Sequence, residues 1–177
     1  MSALSPRRLH VRTQTLDLSH AGRYWTYATT LGGVYLSVGF LFYFAAKEKL
    51  LGAGAGTMPA GLQKEFSGSL LASVPGLNAA WTLLGAAEAA VVVLLAVSLL
   101  RGEFMPSREK PVLFAGLGLS MLTFGLMGLA NDMVGDVALA LTVFTYMGLT
   151  AVVMVLIRQL APYRSPNWLG GFLHDDR

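Results

Sequence analysis

Glu88 is the residue of this chain whose type and position most clearly suggest chemistry. It is the only charged residue in the segment 78–100, and it follows Gly85 by three positions. A carboxyl group can hold a proton, bind a cation or accept hydrogen bonds from a ligand. An acid inside so apolar a segment costs a few kcal/mol to insert into a membrane, so Glu88 is the first candidate for a functional site.

Three polar side chains are expected at the depth of Glu88. Counting from the predicted helix ends at ~1.5 Å per residue places Tyr35, Ser120 and Tyr146 close to that level. A buried carboxyl group needs a partner, and no basic residue is expected there. We therefore predict that Glu88 faces the bundle interior and hydrogen-bonds one of these three side chains. Such a cluster could bind a quinone or another polar headgroup, or could hold the helices together.

Other kinds of site have little support in the sequence. The chain has no cysteine, and its three histidines lie outside the apolar segments, at His10, His20 and His174. Without such ligands in the segments, we expect no metal site, no covalent cofactor and none held through Cys or His. The catalytic residues are unknown, because no set for autonomous catalysis is visible. Any activity is expected to need a partner subunit.

Four long apolar segments must position these residues. Hydrophobic residues make up 54% of the chain and charged residues only 13%, which does not suit a water-soluble globule. A helix needs about 20 apolar residues to cross the hydrocarbon core of a bilayer. The segments 24–46, 78–100, 112–130 and 137–157 have the required length and composition. The sequence therefore predicts an all-α integral membrane protein, a four-helix bundle in a lipid bilayer.

The connecting segments are predicted from their periodicity and length. Between 60 and 74, apolar residues recur every four positions, which is typical of a short amphipathic helix, here in the first outer loop. The short polar break at 131–136 predicts an antiparallel hairpin of the third and fourth membrane helices. Polar tails are expected at 1–23 and 158–177.

The distribution of basic residues predicts the orientation in the membrane. Ten of the thirteen Lys and Arg residues lie in the two tails and in the loop 101–111. Because basic loops mark the cytoplasmic side, both termini are expected there. The basic residues flank apolar segments instead of forming one polar face. Despite the net charge of +3, a nucleic-acid partner is therefore not expected.

The C-terminal tail carries a candidate docking strip for a protein. Its aromatic residues Tyr163, Trp168 and Phe172 stand among prolines and glycines, with few charges and no helical pattern. Aromatic side chains of this kind are enriched in protein interfaces. They suggest a partner protein or a second copy of the chain.

A lysine closing the first apolar segment, either Lys47 or Lys49, stands with Gly85 and Glu88 in a pattern that resembles the DoxX family. The resemblance covers roughly residues 30–157. It implies a small four-helix protein of the bacterial inner membrane, in which the lysine and Glu88 occupy the polar positions of the family. It also implies an accessory or anchoring subunit of a membrane-associated oxidoreductase complex that contributes to a quinone pocket. The long N-terminal tail, the extended outer loop and the proline-rich C-terminus depart from the family pattern.

Two other functions remain open. Glu88 could serve a small transporter or permeation unit as a proton or cation site, or the protein could be a purely structural membrane subunit. Transporters often contain interrupted helices or internal repeats. Here no proline interrupts an apolar segment and no repeat is evident, which favours the accessory subunit.

Overall fold

The computed structural model describes residues 15–52, 54–69 and 76–160, and all regular structure in these residues is helical. The predicted all-α class is therefore confirmed. Five helices follow one another along the chain: α1 Thr15–Leu51, α2 Ala60–Ser67, α3 Leu77–Leu100, α4 Pro111–Met133 and α5 Val137–Leu160.

Four of these helices are long and apolar enough to cross a membrane. The candidate spans are Tyr24–Leu51 within α1 and the whole of α3, α4 and α5. Their outer surfaces carry large apolar side chains, among them Leu83, Leu122 and Leu141, each more than half exposed. In a bilayer such side chains meet lipid tails that are equally apolar. The structure agrees with a multi-pass membrane protein in a lipid bilayer.

The long helices pack as a bundle in which successive helices are neighbours. α1 packs on α3, α3 on α4 and α4 on α5, and α1 also contacts α5. Glycines let neighbouring helices approach closely, as small residues do in membrane bundles. Gly116 of α4 faces Leu94 of α3, and a methyl group at Gly128 would lie 2.7 Å from the Phe144 ring of α5. The α4–α5 contact therefore depends on the missing side chain at Gly128.

α1 is longer at both ends than the predicted segment 24–46. It begins at Thr15, within the predicted polar tail, and continues through the charged triplet 47–49 to Leu51. Lysine and glutamate are good helix formers, so a charged triplet does not by itself end a helix. The helix ends where the glycine-rich segment 52–56 begins.

α2 is shorter than the amphipathic helix predicted at 60–74. It ends at Ser67, with Gly68 as its C-cap. The Ser67 hydroxyl donates to the carbonyl oxygen of Lys64 at 2.6 Å. Serine side chains that bond nearby backbone groups compete with helix continuation. Residues 70–75, where the prediction placed the last helical turn, lie outside the described part of the chain.

A short turn joins α4 and α5 in place of the polar break predicted at 131–136. α4 continues to Met133, and the N–H groups of Gly135 and Asp136 bond carbonyl oxygens of its last turn. Gly135 has φ 86°, the left-handed conformation that closes helix C-termini in this way. Asp136 then accepts a hydrogen bond from the N–H of Leu139 and caps α5. The predicted antiparallel hairpin is present.

Candidate functional site

Glu88 forms a buried ion pair with Lys49 of α1. Glu88 is 1% exposed, and Nζ of Lys49 lies 2.9 Å from its Oε1 atom. Nζ also lies 4.8 Å from the centre of the Trp81 ring, where the ring face attracts a cation. A buried carboxylate without a partner carries a large desolvation penalty. The ammonium group of Lys49 therefore offsets the cost of placing Glu88 in the bundle.

Gly85 permits this pairing because it lets α1 approach α3 closely. It lies one helical turn before Glu88 and so on the same face of α3. A β-carbon at Gly85 would lie 2.9 Å from the β-carbon of Lys49 and 3.1 Å from the side chain of Leu50. Gly85 and Glu88 thus act together. The missing side chain of Gly85 leaves room for α1, and the Glu88 carboxylate binds the Lys49 ammonium group.

Residues of the segment between α1 and α2 are bonded to Lys49 and to α3 near the ion pair. The N–H of Gly56 bonds the carbonyl oxygen of Lys49 at 3.1 Å, and the hydroxyl of Thr82 donates to the carbonyl oxygen of Gly56 at 3.4 Å. Met58 is buried, and its N–H bonds Oδ1 of Asn78 at 3.0 Å. These bonds hold the connecting segment against the first turns of α3, on the side where Lys49 enters.

The second carboxylate oxygen of Glu88, Oε2, does not take part in the ion pair with Lys49. Oε2 is buried and hydrogen-bonds no group among the described residues. Each carboxylate oxygen has two acceptor positions, and Lys49 engages only Oε1. Oε2 can therefore hold a proton or accept a hydrogen bond from a hydroxyl group of a ligand.

The predicted hydrogen bond between Glu88 and Tyr35 is wrong. The hydroxyl of Tyr35 pairs with Oγ of Ser98 at 2.7 Å, about three helical turns along α3 from Glu88. The expectation that no basic residue reaches Glu88 is wrong as well. Lys49 lies much further along α1 than Tyr35 and takes the position beside the acid.

The other two predicted partners also have different contacts. Ser120 is buried, and its hydroxyl donates to the carbonyl oxygen of Leu117 in its own helix at 2.7 Å. Tyr146 is 44% exposed, and its ring lies 5.9 Å from that of Phe124. Neither hydroxyl is bonded to Glu88, so the predicted cluster of four side chains does not form.

The structure distinguishes between the two lysines at the end of the first apolar segment. Lys47 is exposed, whereas Lys49 is buried on the same side of α1 as Phe42 and Ala46. The spacing of these three buried residues, four and then three positions, keeps them on one helix face. Of the two candidates, only Lys49 contacts Glu88.

A second buried acid, Glu103, organises the opposite end of the bundle. It lies in the loop between α3 and α4 and is 2% exposed. Its carboxylate accepts hydrogen bonds from the N–H groups of Leu113 at 2.8 Å and Val112 at 3.3 Å. These groups belong to the first turn of α4, where the helix dipole favours a negative charge. Glu103 therefore caps α4, and Arg101 adds a contact of 3.5 Å between Nε and Oε1.

Glu103 is the end of a chain of three hydrogen-bonded side chains. Ser98 donates its only proton to Oε2 of Glu103 at 3.1 Å, so the Tyr35 hydroxyl must donate to Ser98. Neither Ser98 nor Glu103 is among the predicted site residues. Ser98 could have been found from its helical spacing to Glu88. Glu103 carries no comparable signal, since Glu109 is the acid nearer to Pro111 in the sequence and is exposed.

Lys110 fixes the loop that carries Glu103. It is buried, and its Nζ donates to the carbonyl oxygens of Met105 at 3.0 Å and Arg108 at 2.7 Å. Nζ also lies 5.5 Å from the centre of the Tyr27 ring on α1. Burial lowers the pKa of Lys110, and the nearby Glu103 carboxylate opposes this shift. Lys110 thus holds the loop against α1.

A cleft of about 430 Å³ lies between α1, the end of α3 and this loop. Its walls are mainly apolar and aromatic. Tyr35 lines the cleft, so the hydrogen-bonded series Tyr35, Ser98 and Glu103 begins beside it. The residues that line it include Tyr24, Tyr27, Gly32, Tyr35, Leu99 and Phe104.

Two further predictions concern the C-terminal docking strip and a metal site. The docking strip Tyr163, Trp168 and Phe172 lies outside the described residues. Within the described ranges, no group of three or more His, Cys, Asp or Glu side chains could hold a metal ion.

No family model, curated protein or solved structure matches the chain. A functional assignment therefore depends on the site geometry: the ion pair between Lys49 and Glu88, the chain from Tyr35 to Glu103, and the adjoining cleft.

Proposed function

We propose that the protein is a DoxX-like accessory or anchoring subunit of a membrane-associated oxidoreductase complex. The observation that supports this proposal is the contact of Gly85, Glu88 and Lys49 at one point in the bundle. The resemblance to that family rests on these residue types, and the contact gives each of them a physical role. In this proposal the subunit lies in a bacterial inner membrane with both termini in the cytoplasm, and it binds a redox protein or a second copy of itself.

The proposal includes a contribution to a quinone pocket near Glu88. A quinone is lipid-soluble, and its two ring oxygens become hydroxyl groups on reduction. Oε2 of Glu88 is an acceptor without a partner among the described residues, so it suits such a hydroxyl. Gly56 and Met58 of the connecting segment are bonded to Lys49 and to the start of α3. The glycines Gly52, Gly54 and Gly56 give this segment the backbone freedom to admit a ligand.

Purification from native membranes tests the proposal. A tagged chain is extracted in mild detergent, and mass spectrometry identifies the proteins that accompany it. We expect a redox enzyme with an electron-carrying cofactor. Removing residues 163–177 deletes the aromatic strip and is expected to release this partner while membrane insertion is unchanged. A wild-type preparation without any redox enzyme would contradict the proposal.

The quinone contribution has its own test. We expect quinone in organic extracts of the purified complex, and less of it from the Glu88→Gln variant with the partner still bound. Glu109→Gln is the matched control, because Glu109 is an exposed acid far from the ion pair in sequence. Equal quinone content in both variants would argue against a quinone at Glu88.

A second function, a proton or cation pathway through Glu88, is favoured by the same Oε2 atom, which has no hydrogen-bond partner among the described residues. In proteoliposomes, such a pathway would give an ion flux that Glu88→Gln abolishes and Glu109→Gln preserves. A wild-type protein without flux would rule out this function. A protein with neither partner nor flux would leave the purely structural role.

A further inference from the structure

The cleft beside Tyr35 is open on the lateral surface of the bundle. Tyr24 and Leu36 line it, and both are more than half exposed. Gly32 also lines it, and a β-carbon added there would meet no atom within 4 Å. A flexible apolar chain can therefore lie along α1 in this cleft without displacing protein atoms.

The cleft begins at the level where lipid headgroups are expected. Tyr24 is the first residue of the candidate span of α1, and Trp25 beside it is exposed. Tyrosine and tryptophan concentrate at the boundary between hydrocarbon and water. A molecule that occupies both the apolar cleft and the headgroup level needs an apolar chain joined to a polar headgroup, as in a phospholipid.

The loop that forms one wall of the cleft exposes mainly positive charge. Arg101 and Arg108 flank the lining residues Phe104, Met105 and Pro106, and both arginines are exposed. The Arg101 side chain is 61% exposed. Of the two acids in this loop, Glu103 is buried, accepts hydrogen bonds from the first turn of α4 and pairs through Oε1 with Nε of Arg101 at 3.5 Å. Glu109 is the remaining exposed acid of the loop.

We propose that this cleft binds one anionic phospholipid. An acyl chain lies along Gly32 in the cleft, and the phosphate lies beside Arg101 and Arg108. This inference is independent of the proposed redox function, because it requires neither a redox partner nor Glu88.

The loop is held in place before the lipid binds. Lys110 donates hydrogen bonds to the carbonyl oxygens of Met105 and Arg108, and Glu103 joins the loop to the start of α4. A wall fixed in this way loses little conformational entropy on binding. The positions of the two arginine backbones relative to the cleft are therefore set by the fold.

Filling the cleft tests the position of the acyl chain. Gly32→Leu adds a side chain inside the cleft. Gly33→Leu adds the same side chain at the next position, where a β-carbon also meets no atom within 4 Å but which does not line the cleft. Both variants gain equally in helix propensity. Binding of phosphatidylglycerol and phosphatidylcholine to the purified full-length protein is measured by native mass spectrometry. We expect phosphatidylglycerol to bind more tightly than phosphatidylcholine. We also expect Gly32→Leu to remove that preference and Gly33→Leu to retain it.

Removing charge tests the position of the phosphate. Arg101→Gln and Arg108→Gln are each expected to weaken phosphatidylglycerol binding by about fivefold. The double variant Lys47→Gln, Lys64→Gln removes two exposed charges elsewhere and is the matched control. Thermal unfolding in zwitterionic detergent without added lipid verifies that each variant is folded.

Two outcomes would overturn the inference. One is equal binding of phosphatidylglycerol and phosphatidylcholine by the wild-type protein. The other is a preference for phosphatidylglycerol that Gly32→Leu and the arginine variants leave unchanged. If Gly32→Leu instead displaced a quinone or released a partner protein and left lipid binding intact, the cleft would have a different occupant.

Discussion

The ammonium group of Lys49 lies 2.9 Å from the carboxylate of Glu88, and this contact defines how α1 is aligned with α3. The bond between Tyr35 and Ser98, nearer the start of α1 and the end of α3, fits the same antiparallel alignment. Counting from the predicted helix ends places Tyr35 opposite Glu88 instead. The true partner lies fourteen residues later in α1, which corresponds to about 21 Å along a helix.

The first prediction concerns the two halves of this ion pair. Glu88→Leu leaves the Lys49 ammonium buried without a counter-charge, and Lys49→Met leaves the Glu88 carboxylate in the same condition. Each change is expected to lower the free energy of unfolding by about 3–5 kcal/mol. The double variant replaces the pair with apolar side chains and should recover most of the loss. Denaturant unfolding in detergent micelles measures all three.

Lys47→Met is the control for this series, because Lys47 is exposed two residues from Lys49. Its effect should be within about 0.5 kcal/mol of zero. A double variant no more stable than either single variant would show that the two side chains do not act as a pair.

The second prediction concerns the glycine that allows the pair to form. Gly85→Ala places a methyl group 2.9 Å from the β-carbon of Lys49, so α1 must shift away from α3. Such overpacking costs about 1–3 kcal/mol. Gly118→Ala is the matched control, since a β-carbon there meets no atom within 4 Å and alanine favours helix. Equal melting temperatures for the two variants would contradict the close contact at Gly85.

Helix number and helix type could be predicted from the sequence because they depend on local composition. Four apolar segments of about 20 residues predict four membrane helices wherever they occur in a chain. The alignment of α1 with α3 depends instead on which side chains of the two helices contact each other. The depth predicted for Tyr35 is counted from the predicted helix ends, so it depends on where those ends lie. α1 extends beyond the segment 24–46 in both directions, so counting from its assumed ends gave the wrong depth for Tyr35.

A periodic reading of α1 would have selected Lys49 over Lys47. The buried residues Leu31, Val34, Phe42 and Ala46 follow one face of the helix, and Lys49 lies on that face three positions after Ala46. The charge of Lys49 argues against burial, because a lysine at the end of an apolar segment normally extends its ammonium group into water. Its burial depends on Glu88, which lies on another helix and cannot be paired with it from local sequence.

The third prediction concerns the cap of α4. Glu103→Ala removes the acceptor for two N–H groups of the first turn, on Val112 and Leu113. Loss of a helix cap costs about 0.5–2 kcal/mol, and these two amides should exchange hydrogen faster. Glu109→Ala alters an exposed acid of the same loop and should change neither quantity. Unchanged protection of Leu113 in Glu103→Ala would refute the capping role.

The fourth prediction concerns pH and Lys110. Burial lowers the pKa of Lys110 below 10.5 in the folded protein, although the Glu103 carboxylate opposes the shift. Between the folded pKa and 10.5 the unfolded chain binds more protons, so this group makes the protein more stable as pH rises. Lys110→Met lacks this contribution. The melting temperature of the wild type should therefore gain on that of Lys110→Met as pH is raised from neutral towards 10.5. A difference that stays constant with pH would contradict the shifted pKa, and Lys47→Met serves as the exposed control.

The fifth prediction concerns orientation, which the charge distribution indicates and which decides where a redox partner could dock. The chain contains no cysteine, so a single introduced cysteine can be labelled without background. Gly61 of α2 and Ser107 of the loop between α3 and α4 are both exposed, and they belong to opposite ends of the bundle. A β-carbon at Gly61 meets no atom within 4 Å, so Gly61→Cys should not disturb the fold.

Because ten of the thirteen basic residues lie in the two tails and the loop 101–111, that side should be cytoplasmic. A membrane-impermeant maleimide added to intact cells is expected to label Gly61→Cys and to leave Ser107→Cys unlabelled. Lysed cells provide the control, since both variants should then react. Labelling of Ser107→Cys alone in intact cells would reverse the orientation. It would place the arginines of the cleft on the outer face and move the Lys49–Glu88 pair closer to the cytoplasm.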